Sequence, residues 1–360
     1  MKLSPGRSKR TAWQGLLAGG IVVVLSLLWF APRASAQAAP TPVFNNSTVT
    51  IVLPTHVVAG QPATLAVLGA DGKLARGVDV DLGNDLHVRT DPVGRAYFTV
   101  PSGADYLIAK SQGASAAALV DSSAPASPAG ALIVPPQASI VDSFPICGGA
   151  FHGDAESNRV TLGGEPALVL AASPECLVVL ASDQSMPGPA AVSVKTADRS
   201  WAGTTSLVSL RYESAQPPLA AQKKSHLRVI AEGTREPVLI RLHNETPGIL
   251  TFTRGDEQLL RTSGGEINVA EFEVDAIRSG NYSFHAQIVA PPRPADAVRF
   301  LAAAVPLAGP DLSKQLKKLS DKLRHHPRDA RKAAASLDAI LNVVVSSNLR
   351  TLLVAARACL

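Results

Sequence analysis

The sequence predicts a mainly β fold of tandem β-sandwiches followed by a C-terminal α-helical hairpin, and three observations support this. From about residue 43 to residue 306, short apolar runs are cut at close intervals by Gly, Pro, Asp and Ser, as in small antiparallel sandwiches. Several runs alternate apolar and polar residues, which is the period of a half-buried strand. After residue 310 the apolar period becomes that of a helix. A chain of 360 residues is long enough for about two to four such domains.

The first 36 residues predict a cleaved secretory signal. A basic start and an apolar stretch at 16–30 precede Ala34, Ser35 and Ala36, a small-residue cleavage site. An uncleaved anchor is the alternative, but the apolar stretch is short for a membrane span. We therefore expect an exported bacterial protein that is periplasmic, on the cell surface or secreted.

The charge of the exported chain excludes a basic nucleic-acid binder. The whole sequence has a net charge of +5, but residues 1–36 contain five basic residues and no acidic one. The rest of the chain therefore has 29 basic and 29 acidic residues. A neutral chain lacks the excess of basic residues that phosphate binding requires, so we expect no nucleic-acid partner.

The first predicted sandwich spans residues 43–123. Val78, Val80 and Leu82 alternate with two Asp residues, which predicts a strand with one buried face. The turn at 90–94 is followed by a second alternating run at 95–100. Together these runs resemble bacterial Ig-like modules of the invasin and carboxypeptidase-regulatory kind. The resemblance implies an Ig-like sandwich that acts as a spacer or a binding surface.

The second predicted sandwich spans residues 131–205, after a Ser/Ala/Pro-rich linker at 122–130. Within it, residues 138–195 contain a Gly-Gly-Ala-Phe turn at 148–151, a Gly-Gly turn at 163–164 and a Pro-Gly pair before the last strand. This order resembles the IPT/TIG domain, the Ig-like fold shared by plexins and transcription factors. The resemblance implies a sandwich with an envelope or surface role and brings no catalytic residue.

Two of the three cysteines lie in this second sandwich. Export would place them in an oxidising compartment, so Cys147 and Cys176 are a disulfide candidate, with two buried free thiols as the alternative. Cys359 is then left unpaired, either buried or available for an intermolecular bond.

The last two predicted regions are a third sandwich at 206–306, without a named family, and an amphipathic helical segment at 311–360. In that segment Leu312, Leu316, Leu319 and Leu323 share one helix face, and a second helix is expected from about Asp329. The segment has ten basic and four acidic residues. The exposed face is therefore a candidate for contact with a partner or an anionic membrane surface, through the lysines Lys314, Lys317, Lys318 and Lys322. Packing of the apolar stripe on the protein itself is the simpler alternative.

No pattern of catalytic residues emerges from the sequence. The G-x-S-x-G, S-x-x-K and H-E-x-x-H patterns are missing, as is a phosphate-binding loop, and we expect no cofactor and no metal. A calcium site at His152, Asp154 and Glu156 is a weak alternative. We therefore predict a non-catalytic cell-envelope or secreted protein-binding or scaffold protein. The alternatives are a polysaccharide-binding accessory protein or an enzyme with an unrecognised site. The aromatic candidates for the polysaccharide alternative are few: Trp201, Tyr97, Tyr106, Tyr212 and Tyr282.

Overall fold

The computed structural model describes residues 49–83, 85–123, 132–213, 224–252, 257–280 and 282–360. The predicted signal at 1–36 and most of the predicted linker at 122–130 lie outside this part of the chain. Within it the fold class is confirmed, because sandwiches of β-strands are followed by a C-terminal helical region. Among the described residues, no helix combines the length and the apolar character needed to cross a membrane.

The first sandwich is built from eight described strands: β1 (Val49–Val52), β2 (His56–Val58), β3 (Pro62–Gly69), β4 (Asp79–Asp81), β5 (His87–Arg89), β6 (Arg95–Thr99), β7 (Tyr106–Ser111) and β8 (Ala114–Asp121). β3 pairs with β1 and β6 in one layer, and the opposite sheet has the order β2-β8-β7-β4-β5. Val78, Val80 and Leu82 are buried between the layers, whereas Asp79 and Asp81 are exposed. The alternation in the sequence therefore separates the core face of this strand from its solvent face.

The second sandwich contains β9 (Gln137–Ser139), β10 (Phe144–Cys147), β11 (Arg159–Leu162), β12 (Glu165–Ala172), β13 (Cys176–Leu180), β14 (Gly188–Lys195) and the first half of β15 (Ser200–Glu213). Cys147 and Cys176 are directly opposite each other on β10 and β13 and form a disulfide, as predicted. Cys359 is free and buried.

The third sandwich shares a strand with the second. It contains the second half of β15, together with β16 (Lys224–Glu232), β17 (Leu239–Asn244), β18 (Leu250–Phe252), β19 (Glu257–Arg261), β20 (Val269–Ala276) and β21 (Phe284–Ile288). Residues 188–195 pair with the start of β15, and β16 pairs with its end. The predicted division between residues 205 and 206 thus falls inside one continuous strand.

The helical region has four described α-helices: α1 (Pro294–Ala304), α2 (Pro310–His325), α3 (Ala330–Leu341) and α4 (Ser347–Ala358). It begins earlier than Asp311, inside the range predicted for the third sandwich, because Pro294 occupies the first turn of α1 and does not extend a loop. The single second helix of the predicted hairpin is divided between α3 and α4. The β-branched run Val343, Val344 and Val345 lies at the break, and such residues have low helix propensity.

The helical region folds back onto the first sandwich. Leu316, Leu319 and Leu323 are buried in a core that also includes Ile108 of β7 and Leu119 of β8. Two polar contacts accompany this core: Lys110 Nζ donates to Ser347 Oγ at 3.1 Å, and the hydroxyls of Thr351 and Ser115 are 2.8 Å apart. The apolar stripe predicted from the leucine spacing therefore packs on the protein itself.

The first two sandwiches are joined by buried hydrogen bonds. The Thr64 hydroxyl donates to the carbonyl of Gly153 at 2.7 Å, and Arg95 Nη2 donates to the carbonyl of Val169 at 2.7 Å. A Cβ at position 153 would collide with the main chain of Pro62, so this close approach requires glycine. The interface between these sandwiches is thus fixed by specific main-chain contacts.

Candidate functional site

A cluster of charged side chains lies where the first sandwich, the second sandwich and α1 meet. We call this cluster the His56 junction, and its members are His56, Asp121, Glu175, Arg293, Asp296 and Arg299. Its acidic and cationic groups come from three parts of the chain that are far apart in sequence. The arrangement therefore exists only when those parts are assembled.

Local structure places each member. His56 begins β2 and Asp121 ends β8, and these strands pair in parallel with His56 opposite Leu119. Asp121 lies two residues beyond Leu119, on the same face of the sheet, so its side chain is a diagonal neighbour of His56. Glu175 lies in the turn before β13, next to the disulfide at Cys176. Asp296 lies in the first turn of α1, where a carboxylate is favoured by the helix dipole.

The imidazole of His56 lies between two carboxylates. Its Nδ1 is 2.9 Å from Asp121 Oδ2, and its Nε2 is 3.2 Å from Asp296 Oδ1. Each carboxylate also contacts an arginine: Arg299 Nη1 is 2.7 Å from Asp121 Oδ1, and Arg293 Nη1 is 3.3 Å from Asp296 Oδ2. Arg299 also donates to the carbonyl of Val120 at 3.1 Å. Cations and anions thus alternate through the cluster.

The pKa of His56 is strongly raised. Burial alone would lower the pKa of this imidazole, but its hydrogen bonds to Asp121 and Asp296, with the charges of Asp296 and Glu175, raise the pKa to about 9. The ring is therefore an imidazolium at neutral pH. Its charge balances the two aspartates that it contacts.

The pKa values of two carboxyl groups of the junction, Asp121 and Glu175, are shifted in opposite directions. Burial opposes ionisation of Asp121, yet its hydrogen bonds to His56 and Glu175 and the charge of Arg299 lower its pKa to about 2. Burial and the adjacent Asp121 carboxylate raise the pKa of Glu175 to about 7. Glu175 is therefore the member whose charge changes near neutral pH.

His56, Asp121 and Glu175 offer ligand atoms within 4.8 Å of one another. A divalent cation would have to displace the proton of an imidazolium whose two nitrogens are both engaged by carboxylates. It would also add charge beside Arg299, which already neutralises Asp121. The cluster is electrically balanced by the protein's own cations, so these residues do not fit a metal site.

The junction also lacks the geometry of a nucleophilic site. The hydroxyl of Ser173 donates to the main-chain carbonyl of His56 at 2.6 Å and does not contact the ring. The thiol of Cys359 lies 3.9 Å from Arg293 Nη2, but burial raises its pKa to about 11, so it stays protonated. The imidazole has neither a free nitrogen to act as a base nor a nucleophile to activate.

An open groove of about 910 Å³ lies on the helical region, between α2 and the end of α3. Its apolar lining includes Leu312, Leu319, Ile340, Val344 and Leu349. The segment that connects α3 to α4 borders the groove, and its residue Val345 is 94% exposed. This groove is therefore a concave apolar surface that the described residues leave uncovered.

The four lysines predicted to face a partner or a membrane are all exposed on α2, but they do not share one surface. Lys318 and Lys322 line the groove, whereas Lys314 and Lys317 are not among its lining residues. Lys322 Nζ lies 3.6 Å from Asp329 Oδ2. No ion pair to a carboxylate of the described residues involves the other three lysines.

Three other candidate residues are engaged in packing or in local polar contacts. Trp201 is only 7% exposed and packs edge-on against Phe151, with ring centroids 5.3 Å apart. In the loop of the weak calcium alternative, Asp154 caps a short 3-10 turn and Glu156 lies 3.3 Å from Arg95. These side chains are used in packing and in local hydrogen bonds.

Sequence reasoning missed the His56 junction completely. Its members are isolated charged residues at the ends of apolar runs, far apart in the chain, and no motif links them. Asp296 and Arg299 are three residues apart in the sequence. This spacing places both side chains on one face only if residues 294–304 form a helix, as they do in the structure.

Comparisons with known proteins find distant structural likenesses, and no match to a family model or to a curated protein. No family model and no curated protein matches the chain. Among solved structures, the extracellular region of plexin A4 matches over 70% of this chain and 24% of its own, at 12% identity and a TM-score of 0.25. This chain thus spans about a quarter of that structure.

Two further likenesses are equally distant. The Bacteroides ovatus SGBP-B, from a mixed-linkage glucan utilization locus and in complex with a heptasaccharide, covers 71% of this chain and 68% of its own, at 12% identity and a TM-score of 0.21. The N-terminal four Ig domains of Dscam1 cover 64% of this chain and 73% of their own, at 10% identity and a TM-score of 0.22. Scores at this level say nothing further about what this chain does.

Proposed function

We propose that the protein is a non-catalytic, exported binding or scaffold protein of the bacterial cell envelope or its surroundings. Its first two sandwiches and the helical region form a single body that presents a binding surface. The observation that carries this proposal is the His56 imidazole, held between Asp121 and Asp296.

The junction supports a structural role over a catalytic one. Both ring nitrogens contact partly buried carboxylates, and the raised pKa keeps the imidazole charged at neutral pH. A general base must be able to accept a proton in its working pH range, which an imidazolium with a pKa of about 9 does not do near neutrality. The same contacts connect β2, β8 and α1, so they hold the helices against the first sandwich.

The Cys147–Cys176 disulfide supports export, because such bonds persist in oxidising compartments. The residues that face solvent in the helical region support binding. Uncovered apolar side chains lie there beside Lys322 and beside Lys318, which has no carboxylate partner among the described residues, and this is the composition of an interaction surface more than that of a packed core. The protein therefore combines a fixed frame with an exposed face.

The structure weakens the polysaccharide alternative. Carbohydrate sites on sandwiches use exposed aromatic faces, and both faces of Trp201 are withdrawn into the second core. Tyr97 is 56% exposed, and among the described residues it pairs with no other aromatic ring. We therefore do not propose glycan binding.

The proposal is tested on the purified full-length chain in two ways. A panel of hydrolase and transferase substrates should show no turnover that is lost in His56→Gln. Affinity isolation from the native envelope should retain a partner, and His56→Gln should lower the thermal stability of the bait. A catalytic activity abolished by one substitution, or no partner from the native envelope, would overturn the proposal. Deleting the helices is not a usable control because it would expose Ile108 and Leu119.

A further inference from the structure

The groove on the helical region fits a helix of a partner protein. It lies between α2 and α3, its lining is mainly aliphatic, and it is open along its length. The lining residues of α2 extend from Asp311 to Lys322, which is about 17 Å at the rise of an α-helix. This is the length of about three turns, and an amphipathic helix in an apolar groove is a common mode of recognition.

The charges on the groove differ at its two ends. Asp311 lies in the first turn of α2, whereas Lys318 and Lys322 lie in its second half. Lys332 on α3 adds positive charge near Asp329, which lies 3.7 Å from Lys332 Nζ and 3.6 Å from Lys322 Nζ. One carboxylate thus faces two lysines, and Lys318 has no carboxylate partner among the described residues. The second half of the groove is therefore net positive.

We infer that this groove binds an acidic amphipathic helix of a partner protein, about three turns long and antiparallel to α2. The aliphatic face of that helix would cover Leu312, Ile340 and Val344, and its acidic first turn would lie beside Lys318 and Lys322. Acidic residues are favoured in the first turn of a helix, and this fixes the direction of the bound helix. The inference rests on the proposed function and adds the chemical class of the partner.

Binding to a membrane surface is the competing explanation. The two lysine pairs of α2 distinguish it from binding to a partner helix. An anionic bilayer attracts every exposed lysine of α2, so Lys314 and Lys317 would matter as much as Lys318 and Lys322. A helix in the groove contacts only the latter pair. The chain thus supplies a matched control, since both pairs lie on one helix and their exchange for Glu changes the net charge equally.

The experiment uses the full-length protein and a display library of helix-forming peptides of about twelve residues. The enriched peptide is then titrated against Lys318→Glu/Lys322→Glu and against Lys314→Glu/Lys317→Glu by fluorescence anisotropy. A second pair of variants tests the groove sterically: Ala339→Trp places a bulky side chain in the lining, whereas Ala335→Trp places it on an exposed position of α3 outside the lining.

We expect enriched peptides with an acidic first turn and aliphatic residues at helical spacing. Their binding should weaken about tenfold or more in Lys318→Glu/Lys322→Glu and in Ala339→Trp, and about twofold or less in the two controls. No enrichment, or equal loss in all variants, would overturn the inference. So would binding to phosphatidylglycerol vesicles that both lysine pairs support equally. If a partner is still retained from the envelope by Ala339→Trp, the groove assignment fails and the proposed function stands.

Discussion

The His56 junction and the groove both concentrate charge near the helices, but they use it in opposite ways. In the junction, the imidazolium and two arginines contact two carboxylates, Glu175 hydrogen-bonds to one of them, and the side chains of His56 and Asp296 are only 13% and 14% exposed. Around the groove, Lys318 is exposed and has no carboxylate partner among the described residues. Charge that is internally balanced holds a fold together, and charge left unpaired beside an apolar surface is available to a partner.

The largest effect is expected when the junction loses its central cation. His56→Ala should destabilise the protein by about 3–5 kcal/mol, because it removes the cation between the partly buried carboxylates of Asp121 and Asp296 and leaves each with a single arginine. Chemical denaturation monitored by circular dichroism would measure this. The matched control is His87→Ala, since His87 lies 3.7 Å from Asp81 but is 71% exposed. A change of about 0.5 kcal/mol or less is expected there, and an equal loss in both variants would show that burial is not the cause.

Removing the disulfide should have a somewhat smaller effect. Cys147→Ser/Cys176→Ser opens a loop with a sequence separation of 29 residues, which costs about 3–4 kcal/mol on the chain-entropy model. The midpoint of unfolding in denaturant, with and without reductant, measures this loss. Reductant should change the native protein and leave the double variant unchanged. A native protein whose unfolding midpoint does not change with reductant would contradict the pairing.

The pH dependence of the junction should depend on Glu175. Its pKa rises from 4.5 to about 7 on folding, so the folded state holds an extra proton and stability falls as pH rises through that range. The pKa of His56 rises from 6.5 to about 9, so its contribution is complete below 6.5 and is lost as pH rises through 9. The native protein is therefore expected to melt lower at pH 8 than at pH 5, by about 2–4 °C for each kcal/mol lost.

Glu175→Gln keeps the side chain neutral and should remove the part of this decrease that lies between pH 4.5 and 7. Melting temperatures of the two proteins across this range provide the comparison. Parallel curves for the variant and the native protein would show that Glu175 does not exchange its proton at the junction.

The smallest effect on stability is expected at the groove. Lys318→Glu/Lys322→Glu removes one ion pair, between Lys322 and Asp329, and the Lys322 side chain is 46% exposed. Exposed ion pairs contribute little to stability. The free energy of unfolding should therefore change by about 0.5 kcal/mol or less, with a correspondingly small change in melting temperature. A loss as large as that of His56→Ala would mean that these lysines are part of the fold, and the contrast between the two regions would disappear.

Much of the architecture was predictable from periodicity. The alternation at Val78 and Val80, the pairing of Cys147 with Cys176 and the buried stripe of Leu316, Leu319 and Leu323 are all local patterns. Each depends on residues close in the chain, or on chemistry that only two cysteines of one sandwich could share. For these elements, backbone geometry converts sequence spacing directly into a face or a pair.

The rest depended on tertiary contacts that no local pattern records. Ile108 and Leu119 lie in strands of ordinary apolar composition. Nothing in the sequence of these strands shows that the two residues also contact the helices. For the same reason Asp296 and Arg299 could not be connected with His56. The four lysines of α2 could be named from the sequence, but their division into a groove pair and a solvent pair required the position of α3.

The most direct test of the structural role of the junction is a double-mutant cycle between His56 and Asp296. The residues belong to the first sandwich and to α1, and their side chains make a direct contact of 3.2 Å. Unfolding free energies of His56→Ala, Asp296→Ala and the double variant give the coupling between them. We predict a coupling of about 1.5 kcal/mol or more, as expected for a hydrogen-bonded pair in one buried network. Additivity within about 0.5 kcal/mol would contradict the claim that this contact holds the helical region to the first sandwich.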